Sequence, residues 1–135
     1  MNKKLLFAVL AAVLLLMTGC AAGNSRNESE EPMYTKITAE QAKERMEENP
    51  DAIVLDVRTQ SEYDAAHIGG AVLLPNESIG TAQPEELPEL DAEILVYCRS
   101  GNRSAQAAKK LAELGYTNVF DFGGIIDWPY GTAAK

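Results

Sequence analysis

Cys98, Arg99, Ser100, Gly101, Asn102, Arg103 and Ser104 form the segment of this chain best equipped for chemistry. They lie between an apolar run, residues 94–97, and a stretch of helical periodicity. Thiolate is the nucleophilic form of cysteine. A helix N-terminus or nearby arginines lower a cysteine pKa from about 8.5 into the range of about 3.5–7.5. A loop closing onto a helix start turns several backbone N–H groups inward and adds the positive end of the helix dipole. The expected cradle for Cys98 is therefore the amides of Arg99, Ser100, Gly101, Asn102 and Arg103. The guanidinium group of Arg99 is then available to neutralise an anionic reactant, while Arg103 either does the same or shapes the loop through backbone carbonyls. Gly101 permits the tight curl, and a thiolate held this way needs no separate general base. The competing use of Cys98 is as a buried structural cysteine, a common fate of that residue.

His67 is the only histidine, so a Cys–His dyad comes to mind, but a thiolate held by amides does not need it and structural hydrogen bonding is the expected role. Asp56, Arg58 and Glu62 are expected to form an ion-pair network bracing the loop beneath Cys98. Trp128 and Tyr130 are expected to pack at the end of the domain.

The elements that must position these residues follow from periodicity. Thr38 and Gln41 have capping-box spacing, predicting a helix that runs to Glu48 and stops at Asn49 and Pro50. The short apolar runs 53–57, 71–74 and 94–97 suit buried parallel strands. A helix is predicted over 104–114, with Ala108, Leu111, Ala112 and Leu114 inward, Lys109, Lys110 and Glu113 in water, and Gly115 as its C-cap. A last strand is predicted over 119–121, then a turn over 125–128. The acidic, proline-bearing stretch 76–91 reads as a solvated connection. Strands alternating with helices predict an α/β domain with a mostly parallel central sheet flanked by helices.

The chain has 135 residues, with 12 Lys+Arg against 20 Asp+Glu and a formal charge of −8. That length suits one domain. The acidic balance argues against a nucleic-acid partner. Two cysteines and one histidine make neither a four-ligand zinc site nor a disulfide framework, so no metal and no cofactor is expected.

Cys20 has a different use. Lys3 and Lys4 precede an uncharged stretch, residues 5–17, that is too short to span a bilayer but fits a signal-peptide core. Thr18 and Gly19 directly before Cys20 resemble a bacterial lipobox, with Met17 where leucine is usual. The resemblance implies a signal peptide over 1–19 and lipidation of Cys20. Residues 20–33 then form a flexible tether, 34–130 the folded domain and 131–135 a C-terminal tail. Removing residues 1–19 takes away two lysines and brings the formal charge to −10. The implied location is exported and anchored to a membrane of the bacterial cell envelope.

Three segments together resemble the rhodanese-homology family: Cys98 to Ser104; Asp56, Val57 and Arg58 with Glu62, Tyr63, His67, Ile68, Gly69, Gly70 and Ala71; and Gly123, Gly124 and Trp128. Ala66 stands where the family usually has glycine. The resemblance implies a rhodanese-like three-layer fold and a sulfurtransferase cycle. Cys98 takes sulfane sulfur from a small anionic donor such as thiosulfate, becomes a persulfide, and passes the sulfur to cyanide or a thiol, including a thiol of another exported protein. Two other classes share the cysteine. One is a non-catalytic persulfide carrier, redox sensor or docking module. The other is a phosphatase or arsenate reductase, whose loops resemble Cys-x5-Arg; Cys98 to Arg103 encloses only four residues, a cradle sized for one sulfur.

Overall fold

The computed structural model describes residues 33–135. The signal segment, Cys20 and most of the tether lie outside the described residues. Five strands form one sheet: β1 (Thr35–Lys36), β2 (Ile53–Asp56), β3 (Val72–Leu73), β4 (Ile94–Cys98) and β5 (Val119–Gly124). Their order is β1-β5-β4-β2-β3 and every pairing is parallel. Helices α1 (Ala39–Glu48), α2 (Gln60–Ala65) and α3 (Asn102–Glu113) cover both faces, giving three layers.

Side chains alternate across a strand, and β4 shows the consequence. Ile94, Val96 and Cys98 enter one core with Ala107, Ala108 and Leu111 of α3. Leu95 and Tyr97 enter the other with Ala42 of α1, Phe122 and Ile68. All five residues of β4 are buried, as expected where helices cover both faces of a parallel sheet. Because the strands are parallel, their carboxyl ends share one edge. Cys98 pairs with Gly124 there, while Thr35 enters the opposite, amino edge beside Phe120.

The cap of α1 is as read from Thr38 and Gln41: Gln41 N–H donates to Thr38 Oγ1 at 3.1 Å, and Thr38 N–H to Gln41 Oε1 at 2.9 Å. Asn49 turns extended and ends the helix. The helix after the cysteine starts two residues earlier than its periodicity suggests, and its buried stripe is Ser104, Ala107, Ala108 and Leu111. Ala112 and Leu114 are only half-buried. Lys110 does not simply face water, since its ammonium donates to the Asn76 carbonyl and Oδ1 at 2.9 and 3.0 Å. The 76–91 connection is likewise more than a solvated surface, because Asn76, Ile79 and Leu87 are buried in it. The tail is docked: His67 and Ala133 exchange backbone hydrogen bonds of 2.8 Å.

Candidate active site

Cys98 is the last residue of β4, unpaired and 1% exposed. The loop beyond it turns at Gly101, whose φ of +104° lies in the left-handed region, and enters α3 at Asn102. Gly101 N–H donates to the Cys98 sulfur at 3.0 Å. Burial raises the Cys98 pKa, but the Ser104 hydroxyl and the amides of Ser104, Gly101 and Ser100 outweigh it and the thiol titrates below its ordinary value. The Ser104 hydroxyl has one proton and two acceptors in reach, since it also lies 3.0 Å from the Gly101 carbonyl.

Strand β5 fixes the loop from behind. A Cβ on Gly124 would fall 2.2 Å from the Arg99 carbonyl oxygen and 2.6 Å from Ser100 Cα, so only glycine allows this approach. Just beyond, Ile126 N–H donates to the Arg99 carbonyl at 3.3 Å.

The two loop arginines differ in their surroundings. Arg103 is committed to Glu62 through paired contacts of 2.8 and 2.9 Å. That pair holds the Glu62 carboxyl well below the usual range against the opposing effect of burial. Arg99 is exposed and its guanidinium has no partner among the described residues. Asn102 is also exposed, and among the described residues no hydrogen bond joins its side chain to the sulfur.

Glu62 therefore touches the loop, but Asp56 and Arg58 brace something else. Their buried pair, 2.7 Å at its shortest, extends to the Ala66 carbonyl through Arg58 Nη2. Tyr97 O–H donates to Asp56 Oδ2 at 2.6 Å and accepts from Ile68 N–H at 3.1 Å. The network ties β2 and β4 to residues 66–68, and it reaches Cys98 only through its chain neighbour Tyr97. His67 stacks on Tyr63 with centroids 3.8 Å apart, and its Nδ1 lies 2.7 Å from the Tyr63 carbonyl. Neither contact involves Cys98. Trp128 packs against Phe122.

Ser104 lies in the segment singled out from the sequence, but the role of its hydroxyl beside the sulfur emerges only from the structure. Its signal was present in principle: a hydroxyl in the first turn of the helix, six residues after the cysteine. The arrangement as a whole is a desolvated sulfur held by loop amides, with the exposed Arg99 next to it in the chain, and it suits nucleophilic chemistry at Cys98.

The Rhodanese-like domain family matches residues 38–129. A "Sulfurtransferase" of Allochromatium vinosum is 36% identical over 97 residues, covering 71% of this chain and 89% of that protein. The "Thiosulfate sulfurtransferase GlpE" of Haemophilus influenzae is 38% identical over 96 residues, covering 70% and 88%. The crystal structure of a rhodanese-related protein from Thermoplasma volcanium is similar with a TM-score of 0.64 and 30% identity, covering 76% of this chain and 100% of that one.

Proposed function

The chain belongs to the rhodanese-like domain family, and from that premise we propose that it is a sulfurtransferase working through a persulfide on Cys98. The observation that carries the reading is the sulfur itself, buried at the carboxyl edge of the sheet, bonded to the Gly101 amide and titrating below an ordinary thiol. The thiolate attacks the outer sulfur of thiosulfate. A bond forms between Cys98 and that sulfur, the sulfur–sulfur bond of the donor breaks, and the electron pair leaves with sulfite. The persulfide keeps the negative charge that the loop amides already stabilise. Cyanide or a thiolate then takes the outer sulfur and returns the Cys98 thiolate, so the cycle is ping-pong. Arg99 draws the anionic donor to an otherwise acidic protein.

Intact-protein mass spectrometry tests this. Exposure to thiosulfate adds the mass of one sulfur atom to the wild type and nothing to Cys98→Ser. Wild-type protein that gains no sulfur from any sulfane donor overturns the proposal. We also propose that the cycle runs on the outer side of a bacterial membrane, with Cys20 acylated and residues 21–33 as the leash; the lipobox-like spacing before Cys20 supports this.

A further inference from the structure

Among the buried charged groups, Asp56 and Arg58 answer one another, but Asp121 enters no step of the cycle. It sits in β5, 4% exposed, beside Val96 in the sheet. Between that pair and the next, Cys98 with Gly124, strand β4 advances two residues and β5 three. The extra residue makes a β-bulge, which bends the strand and leaves a residue out of the ladder. Gly123 occupies the bend with a φ of +87°, a conformation glycine adopts without steric cost. Its N–H donates to Asp121 Oδ1 at 3.0 Å. A side chain thus stands in for the missing ladder partner.

The bend has two consequences for the reactive loop. Gly124 is brought against the Arg99 carbonyl and Ser100 Cα, closer than any side chain allows. Gly123 itself lies against Gly101, where a Cβ would fall 3.5 Å from Gly123 Cα. Gly101 is the residue whose N–H reaches the Cys98 sulfur. A carboxylate oxygen, a bulged glycine and the loop glycine therefore stand in series behind the sulfur.

We propose that Asp121 is a positioning residue for Cys98, holding the Gly123–Gly124 bulge in the shape that seats the loop amides on the sulfur. The inference deepens the persulfide reading and rests on it for the effect on turnover. Asp121 acts by accepting one hydrogen bond, so a neutral acceptor of the same shape serves as well.

The test compares Asp121→Ala, Asp121→Leu and Asp121→Asn with the wild type, each first shown to unfold cooperatively in urea. Two quantities are read: the pH midpoint of Cys98 alkylation by iodoacetamide, and kcat and KM for thiosulfate with cyanide as acceptor. Alanine removes the acceptor, and leucine does so while refilling the space. In both the midpoint rises by about half a pH unit, because the Gly101 bond to the sulfur is loosened and not lost. Their kcat falls about tenfold while KM stays within about twofold. Asparagine keeps a carbonyl oxygen for the Gly123 N–H, the wild-type midpoint and a kcat within about twofold. A folded alanine or leucine variant with the wild-type midpoint overturns the positioning claim, as does an asparagine variant as impaired as they are. A wild type that alkylates below the ordinary thiol range yet takes sulfur from no donor overturns the sulfurtransferase function, and the midpoints alone then decide the role of Asp121.

Discussion

At the scale of the residue, the outcome turns on what surrounds one buried sulfur. Desolvation alone would raise the Cys98 pKa; three amides and one hydroxyl outweigh it, and the thiol titrates below its ordinary value. The Ser104 hydroxyl is the separable part, so alkylation of Cys98 by iodoacetamide as a function of pH isolates its share. In the wild type the midpoint lies below the ordinary thiol value of about 8.5. In Ser104→Ala it moves up by about one pH unit, the worth of one hydrogen bond to a charged group. An unmoved midpoint in a folded variant removes Ser104 from the site. The linkage has a definite sign. A depressed thiol pKa adds stability above the unfolded value near 8.5, and that contribution is lost as pH falls through the folded value. Cys98 and its glycine turn were legible because residue type and spacing state their chemistry. Ser104 was not, because a serine in a first helical turn looks the same whether or not a sulfur stands above it.

At the scale of the element, α2 and α3 are joined by one ion pair, Glu62 with Arg103, with side chains 26% and 27% exposed. Glu62→Gln isolates that pair, since glutamine at the third helical position can still serve the Thr59 capping box. In urea unfolding at pH 7 the variant is less stable by about 1–2 kcal/mol, the range for a half-buried, charge-assisted pair. Glu62 titrates below its ordinary value. The stabilisation is therefore complete above about pH 4.5 and fades as pH falls further. A stability gap that stays constant down to pH 2 argues against the ion pair as its source. The helix that carries Glu62 had escaped the sequence reading, although Thr59 and Glu62 carry the same capping spacing as Thr38 and Gln41. It spans six residues and buries none of them, so no apolar period announces it. Strand β1 was missed for a similar reason: two exposed residues at a sheet edge leave no pattern. The long runs of β2, β4 and α3 were legible because burial on both sheet faces writes itself into composition. The 76–91 connection was misread because two buried apolar residues, Ile79 and Leu87, are isolated among acids and prolines.

At the scale of the whole molecule, the proposed lipid at Cys20 and the proposed chemistry at Cys98 must coexist. Labelled fatty acid, fed to cells expressing the full chain, enters the wild type and not Cys20→Ser, and only the wild type sediments with membranes. Incorporation into both proteins defeats the anchoring claim. The sheet decides what such an anchor does to the site. Thr35 joins at the amino edge beside Phe120, whereas Cys98 ends its strand at the carboxyl edge beside Gly124. Thr35 therefore lies toward the end of the sheet away from the sulfur. Protein immobilised through its N-terminus is accordingly expected to keep its reaction with thiosulfate, and loss of that reaction on immobilisation counts against this geometry.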